Sequence, residues 1–384
     1  MKLPHHPSAN LAYCTNIHPA ESWEETLQVL KKHTLQVRDK VQPEGPYAIG
    51  LRLSERAATE LLCDNHLADF QQWLEQENCY VFTINGFPYG AFHGTRVKEK
   101  VYQPDWSEEA RLSYTIQLFE IIAQLVPEGI DGSVSTLPGS FKEFNADENL
   151  IFANLEKCAL KIEELSQTYN RDLHLGLEPE PLGHFENTEE TLAFFERFLS
   201  ISSDPELIKK RIGINYDTCH FALEFDDCRK SLDSLRAAGI RISKVHLSSA
   251  LEFPATSAEA LASIRQFNEP TYLHQVILLD DDGFITRHRD LPEFFETLEN
   301  SNSSQPDALV GRIHFHIPLY NEPAAPLTST QSHALEALAY LAEHPDFCSH
   351  FEIETYTWGV LPDDMQIKIE EQIAREYQWV LDNA

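Results

Sequence analysis

Carboxylate and imidazole side chains follow short apolar runs along this 384-residue chain. Glu178 ends the run LGLE, Asp217 ends INYD with His220 three residues later, His246 lies in KVHLSS, and Glu354 lies in FEIETY. Oxygen and nitrogen ligands that converge on one point are what a Zn²⁺, Mn²⁺, Fe²⁺ or Co²⁺ site requires. The sequence therefore predicts a divalent-metal site with one or more ions.

Each of these residues also has a purely structural interpretation. Glu178 stands beside Glu180, and the two could be a solvated loop pair, although the apolar strand before them favours an inward end. Asp217 could cap a helix, and His220 could ligate directly, support another ligand or act as a cap. A lone strand histidine such as His246 is often a satisfied core residue. Their recurrence at successive strand ends favours the metal interpretation.

Two further pairs of polar residues are spaced two apart. His314 and His316 in RIHFHIP share one face of a strand, as do Glu352 and Glu354 in FEIETY. His316 and Glu354 lie nearer the ends of their runs. We therefore predict His316 as a metal ligand, His314 as a substrate-binding residue and Glu354, rather than Glu352, in the metal site.

The N-terminal half offers softer signals. Arg52 lies in GLRLS, and TINGFPYGAFHG carries Asn85 and His93 in a loop rich in glycine and aromatic residues. We predict that these three side chains bind substrate. The loop residues could equally serve only the loop's structure, and an arginine inside a strand is as often part of a structural ion pair.

The elements that position these residues are strands alternating with helices. Ser22 followed by Glu25 is a capping box that opens a helix. Alternation of this kind predicts parallel strands, in an open sheet or a (β/α)8 TIM barrel. No Gly-x-Gly-x-x-Gly follows a strand, and the polar residues cluster where a barrel has its active site, so we predict the barrel. The predicted strands are 11–17, 48–54, 80–86, 132–138, 174–180, 212–218, 243–249, 312–318 and 351–357.

Nine strands exceed the eight that a barrel needs. We predict one barrel domain over residues 1–384, with an insertion at 250–349 between the last two barrel strands. The insertion contains a hairpin at 272–288 that turns at DDDG, covers the barrel mouth and delivers His316 to the site. Strand 312–318 is then extra, or else the first or last strand lies outside the barrel.

Charge and cysteine usage restrict the partners and the cellular location that we expect. The formal net charge of −31 disfavours nucleic acid and anionic membranes as partners. Seven cysteines with no Cys-x-x-Cys pair, and no apolar segment typical of a signal peptide, favour a cytoplasmic protein. No run has the roughly 18 apolar residues of a membrane span. We expect a small-molecule substrate and leave a homo-oligomer open.

The motifs LGLEPEP, YDTCH, VHLSS and IETY, in this order, resemble the xylose-isomerase-like TIM-barrel superfamily. That superfamily includes sugar isomerases and epimerases and the multi-zinc apurinic endonucleases. The resemblance to the epimerases implies one metal held by Glu178, Asp217, His246 and Glu354. The endonuclease branch has further histidine ligands, a role that His220, His314 and His316 could fill.

Longer segments, including YCTNIHPAESWEETL and INGFPYGAFHGTRVKEKVYQPDW, resemble the EboE family of bacterial metabolite-traffic proteins. This narrower resemblance implies the handling of a small secondary-metabolite precursor.

The predicted function is that of a metal-dependent isomerase or epimerase-like enzyme acting on a small polyhydroxylated or carbonyl-containing metabolite. The metal would hold two substrate oxygens and stabilise an enediolate-like charge. The resemblance to the epimerases implies that Glu178 and Glu354 are the catalytic acid and base. The alternatives are a multinuclear metal-dependent phosphoesterase for small phosphate esters and a non-catalytic metabolite-binding barrel.

Overall fold

The computed structural model describes residues 1–3, 6–91, 93, 97–300, 308–362 and 366–384. The strands in chain order are β1 (Lys2–Leu3), β2 (His6–Tyr13), β3 (Tyr47–Arg52), β4 (Cys79–Asn85), β5 (Gly132–Thr136), β6 (Leu173–Leu177), β7 (Ile212–Asp217), β8 (Ile242–Leu247), β9 (Leu251–Pro254), β10 (Val276–Asp280), β11 (Ile285–His288), β12 (Ala308–Ile313), β13 (Thr328–Ser329) and β14 (His350–Ile353).

The α-helices are α1 (Trp23–Val29), α2 (Leu35–Val41), α3 (Glu55–Leu61), α4 (His66–Gln76), α5 (Glu109–Leu125), α6 (Glu148–Tyr169), α7 (Thr188–Ile201), α8 (Pro205–Arg211), α9 (Thr218–Leu223), α10 (Cys228–Ala237), α11 (Ala258–Ser263), α12 (Leu291–Asn300), α13 (Gln331–Glu343) and α14 (Ile369–Asn383). The predicted capping box at Ser22 and Glu25 starts α1, and a π-helical turn at Leu30–Thr34 joins α1 to α2. Within the described ranges, no helix combines the length and apolar character needed to cross a bilayer.

The main sheet is a (β/α)8 barrel, as predicted. Its strand order is β1-β2-β14-β8-β7-β6-β5-β4-β3, and each pair from β2 to β3 is parallel. A parallel bridge between Cys14 and Gly50 completes the ring of eight strands in the described chain. The barrel strands are buried on both faces because helices cover the outside and side chains fill the inside.

Alternate residues of the barrel strands point inward, and several of these are polar. Lys244 on β8 and Glu352 on β14 are fully buried, and Lys244 Nζ lies 2.6 Å from Glu352 Oε2. A Cβ at Gly50 would lie 2.0 Å from Glu352 Oε1, so only glycine leaves room for this carboxylate. The interior of the barrel thus holds charge, with glycine providing the space.

A second sheet lies between β8 and β14 in the chain. Its order is β11-β10-β12-β9-β13, with antiparallel pairing throughout. The predicted hairpin is confirmed as β10 and β11, with Leu279 opposite Ile285 and Gly283 in the left-handed region at φ +81°. Predicted strand 312–318 corresponds to β12 and is the extra strand. The first predicted strand was placed too late, because Thr15–Ile17 forms a 3₁₀ helix after β2.

Contacts tie the second sheet to the C-terminal end of the barrel. Arg287 on β11 forms ion pairs with Glu186, which follows β6, and with Glu224, which follows β7. Gln275 Nε2 donates to the carbonyl of Pro181 at 3.1 Å. These contacts join the second sheet to the segments that follow β6 and β7, and His314, which follows β12, lines a cavity with Glu178 and Glu354.

Candidate metal centre

Four side chains from four strand ends meet at the barrel mouth: Glu178, Asp217, His246 and Glu354, which we call the mouth cluster. One ligand atom from each lies within 4.8 Å of the others. His246 Nδ1 is 3.0 Å from Glu178 Oε1, 3.4 Å from Glu354 Oε2 and 3.6 Å from Asp217 Oδ2. The parallel register causes this convergence, because Asp217 pairs with His246 on β8, and His246 pairs with Glu352, two residues before Glu354.

Two carboxylates use one oxygen locally and turn the other toward the centre. Asp217 caps α9, where its Oδ1 accepts from the backbone N–H of Cys219 at 2.7 Å and from Ser248 Oγ at 2.5 Å. Glu354 Oε1 accepts from Asn16 Nδ2 at 2.8 Å. The capping interpretation of Asp217 and the ligand interpretation are therefore compatible, since they use different oxygens.

The mouth cluster concentrates negative charge where water is excluded. Glu178 Oε2 and Asp217 Oδ2 are buried and have no hydrogen-bond partner among the described residues. Burial alone would lower the pKa of His246, but Glu354 and Glu178 outweigh it and raise that pKa well above its usual value. Because buried, unpaired carboxylates are costly, this centre favours a cation. Three carboxylates and one imidazole are a donor set that fits Zn²⁺, Mn²⁺, Fe²⁺ or Co²⁺.

Glu352 and Lys244 support His246 from inside the barrel. Glu352 Oε2 lies 2.9 Å from His246 Nε2 and 2.6 Å from Lys244 Nζ. Burial would raise the pKa of Glu352, but Lys244 and His246 lower it to about 2. A carboxylate on the far nitrogen fixes the ring and leaves Nδ1 to face the three carboxylates. Glu352, which we did not predict in the metal site, thus supports the ring of His246.

Three more histidines present nitrogen atoms beside the mouth cluster. His220 Nδ1 lies 3.1 Å from the carbonyl of Pro179, His314 Nδ1 lies 2.8 Å from Gln275 Oε1, and His316 Nδ1 lies 3.0 Å from the carbonyl of Glu354. Each Nδ1–H therefore donates to an oxygen, which leaves the Nε2 atoms as bare acceptors.

The bare nitrogens are poorly matched to one another. His220 Nε2 and His314 Nε2 are 3.0 Å apart, and His316 Nε2 is buried with no hydrogen-bond partner in the described part of the chain. Ligand atoms of Asp217, His220 and His316 also lie within 4.8 Å of one another. Two acceptors at this distance need a proton or a cation between them. The predicted ligands His220 and His316 are thus brought to the site, together with His314.

The predicted substrate-binding residues are placed differently from one another. Asn85 and His314 line a cavity at the barrel mouth. His93 lies behind it, contacting the Asn16 carbonyl through Nε2 and the Tyr272 hydroxyl through Nδ1 at 3.1 Å, and burial lowers the pKa of His93 to about 4.

Arg52 is not at the cavity wall formed by the described residues. Its guanidinium donates to the carbonyls of Ala20 and Gly90 and pairs with Glu21 at 3.2 Å. This is the structural ion pair that the sequence left open, with the donors of Nη1 and Nη2 taken by loop carbonyls and Glu21. The contact of Arg52 with substrate stays a prediction.

The cavity, together with the solvent space at its opening, has a volume of about 420 Å³. Its polar wall consists of Asn16, Asn85, Glu178, Glu180, His220, His314 and Glu354. Its apolar wall consists of Phe87, Pro88, Val101 and Tyr356. Sequence reasoning assigned no site role to Glu180 or Tyr356. The alternation in GLEPEP was the available signal for Glu180, because residues two apart can face the same side.

No protein-family model matches this chain, and no curated protein matches it. A solved xylose isomerase domain protein from Alicyclobacillus acidocaldarius subsp. acidocaldarius is similar, at 13% identity and a TM-score of 0.49, over 97% of each chain. The IolI protein with a binding zinc atom is 12% identical, with a TM-score of 0.48 over 97% of each chain.

The 3-keto-D-glucoside 4-epimerase YcjR from E. coli, in its apo form, is also 12% identical. The alignment covers 98% of this chain and 100% of that chain, with a TM-score of 0.48. The (β/α)8 assignment of the present chain follows from its own strand pairing.

Proposed function

We propose that this protein is a metal-dependent sugar isomerase or epimerase-like enzyme that acts on a small polyhydroxylated or carbonyl-containing metabolite. The observation that carries the proposal is the placement of three buried carboxylates around His246 Nδ1, two of which, Glu178 and Glu354, line the cavity at the barrel mouth. Glu178, Asp217, His246 and Glu354 would hold the metal. A divalent cation there supplies Lewis-acid polarisation of a substrate oxygen.

Glu178 and Glu354 are the proposed acid and base. Both line the cavity and both belong to the mouth cluster, so each can meet a substrate carbon beside the metal. Glu354 is held by Asn16, which fixes its orientation. Glu178 Oε2, which has no partner in the described chain, is free to take or give a proton. Proton transfer between a substrate carbon and these carboxyl groups is isomerase chemistry.

A finer proposal concerns the biological setting. The segments around YCTNIHP and INGFPYGAFHG support membership of the EboE family of metabolite-traffic proteins, and hence the handling of a secondary-metabolite precursor.

The second candidate is a multinuclear phosphoesterase. It is favoured by the bare Nε2 atoms of His220 and His314, 3.0 Å apart, and by the group formed by Asp217, His220 and His316. These residues could hold a second ion, as a two-metal hydrolytic site requires.

Counting metal ions per chain, in protein purified without added ions, separates the candidates. One equivalent, with exchange of a carbon-bound substrate hydrogen for solvent deuterium, supports the isomerase. In that case Glu178→Gln and Glu354→Gln should each lower the exchange rate by roughly 10²–10⁴-fold. The exposed Glu189→Gln at the start of α7 is the matched control and should exchange like wild type.

Other outcomes contradict the proposal. Two or three equivalents, with phosphate release from esters and no exchange, would support the phosphoesterase. Tight metabolite binding with neither exchange nor hydrolysis would identify a non-catalytic binding barrel.

A further inference from the structure

A buried carboxyl group on the C-terminal helix reaches the two chain segments that carry Glu354 and His316. Glu376 lies on α14 and is only 1% exposed. Its Oε1 accepts from Thr355 Oγ1 at 2.6 Å and from the backbone N–H of Leu319 at 3.1 Å. Thr355 directly follows Glu354, and Leu319 lies three residues after His316. One oxygen atom therefore joins the segment after β14 to the segment after β12.

These two segments also bond each other. His316 Nδ1 donates to the carbonyl of Glu354 at 3.0 Å, and the Thr357 hydroxyl donates to the carbonyl of His316. Because β14 ends one residue before Glu354, the strand pairing reaches this ligand only through its N–H, which donates to the carbonyl of Leu247 at 3.1 Å. The position of both segments therefore depends on these contacts and on Glu376, which ties them to α14.

The contacts of Glu376 do not depend on its charge. Burial raises the pKa of Glu376 to about 7, although the bonds from Thr355 and Leu319 lower it. Both bonds end on one oxygen, which acts as an acceptor. The carbonyl oxygen of a protonated carboxyl group accepts hydrogen bonds, as a carboxylate oxygen does. The two bonds therefore form in either protonation state, and Glu376→Gln preserves an acceptor.

We infer that Glu376 is a positioning residue, which holds Glu354 and His316 in one geometry through the Thr355 hydroxyl and the Leu319 N–H. Metal ligands must be held within about 0.5 Å of their working positions, and residues outside the ligand set supply that constraint. The inference rests on the proposed function, because Glu354 is a proposed metal ligand. It assigns a role at the site to a residue that belongs neither to the mouth cluster nor to the described cavity wall.

Asp226 provides a matched control outside the mouth cluster. Its Oδ2 accepts from the Thr188 hydroxyl at 2.5 Å and from the backbone N–H of Thr188 at 2.8 Å, which joins the turn after α9 to the start of α7. Burial raises the pKa of Asp226, as it does for Glu376. Asp226 therefore makes the same two kinds of bond, but to a residue that does not adjoin a proposed metal ligand.

The test titrates metal-free protein with Co²⁺ and follows the absorption bands of the bound ion, which report the geometry of its ligands. Thr355→Val keeps the side-chain volume but removes the hydroxyl, and Glu376→Leu removes the acceptor. Each should weaken Co²⁺ binding by roughly 10-fold, the lower end of the range for residues that orient metal ligands, and should alter the bands. Thr355→Ser and Glu376→Gln, which keep the bonding groups, should match wild type in both respects. Asp226→Leu should bind Co²⁺ like wild type even where its free energy of unfolding falls.

Three results would overturn the inference while wild type binds Co²⁺. These are wild-type affinity and bands in Thr355→Val that is folded by circular dichroism, equal weakening in Asp226→Leu, or equal weakening in the conservative variants Thr355→Ser and Glu376→Gln. The isosteric Thr355→Val decides the matter if Glu376→Leu fails to fold. Failure of wild type to bind Co²⁺ would instead contradict the proposed function itself.

Discussion

Both ends of the barrel hold a carboxylate beside histidines, but the two ends treat them differently. At the N-terminal end, Asp131 lies 3.1 Å from His174 Nε2 and 3.1 Å from His350 Nε2, a group we call the floor cluster. Ser349 Oγ and Arg241 Nη2 donate to the same carboxylate. At the mouth, oxygens of Glu178 and Asp217 have no partner in the described chain.

The difference lies in the balance of donors and acceptors. At the floor, one carboxylate accepts hydrogen bonds from three residues, His174, Ser349 and Arg241, while His174 Nδ1 and His350 Nε2 are buried with no hydrogen-bond partner among the described residues. At the mouth, three carboxylates compete for one imidazole, and the bare nitrogens of His220 and His314 face each other. Ligand atoms at both ends are close enough to surround an ion. At the mouth carboxylates outnumber the groups that can donate to them, whereas at the floor several donors share one carboxylate, and we therefore propose the mouth rather than the floor as the metal site.

The largest expected effect is on metal content. Asp217→Ala or His246→Ala should lose nearly all bound metal, because each removes a mouth ligand. Asp131→Asn at the floor should keep the wild-type content. Elemental analysis of the purified variants provides the measurement, and circular dichroism checks that each is folded. If Asp217→Ala and His246→Ala held as much metal as wild type, the distinction between the two ends of the barrel would be lost.

The next effect is on stability in the presence of a chelator. Asp131→Ala leaves the donors of the floor cluster without their acceptor and should lower the free energy of unfolding by roughly 1–3 kcal/mol, the cost of a buried donor left unpaired. Glu178→Gln at the mouth relieves like-charge repulsion and should not lower it. Urea unfolding measures both. If Glu178→Gln lowered the free energy of unfolding more than Asp131→Ala does, our interpretation of the mouth and the floor would be reversed.

The pH dependence of stability offers a smaller effect at the floor. Burial, reinforced by Arg241, lowers the pKa of His174 to about 3 in spite of Asp131. The unfolded chain, with a histidine pKa near about 6.5, binds a proton that the folded chain does not in the window between these values. Stability should therefore fall as pH falls from about 6.5 toward 3, by about 1.4 kcal/mol per pH unit for this group.

His174→Gln should remove that share of the slope, measured by urea unfolding across this pH range in the presence of chelator. An unchanged slope would mean that His174 is already charged in the folded protein.

The smallest effect is expected at the rim of the floor. Arg241 is 25% exposed and pairs with Asp131 at 3.3 Å and with Asp172 at 2.8 Å. Partly exposed pairs contribute about 0.2–1 kcal/mol, so Arg241→Ala should cost no more than about 1 kcal/mol in the free energy of unfolding. Metal content should be unchanged. A loss as large as that of Asp131→Ala would mean that Arg241 dominates the floor cluster.

The sequence by itself determined the barrel and the meeting of Glu178, Asp217, His246 and Glu354. The reason is geometric, since residues at the carboxyl ends of parallel strands must converge when the strands form a ring. The hairpin at 272–288 was also predictable from the sequence, for a different reason. Its turn residues and flanking apolar runs are local signals.

Only the tertiary structure decided which partners the side chains take. It placed strand Ala308–Ile313 outside the barrel, gave Arg52 to loop carbonyls, and put Glu352 behind His246 on Lys244. It also turned Glu180 toward the cavity. Such choices depend on strand register and on loops far away in the chain. A local pattern specifies which face a residue occupies, but hydrogen-bond and ion partners come from elements that fold against that face.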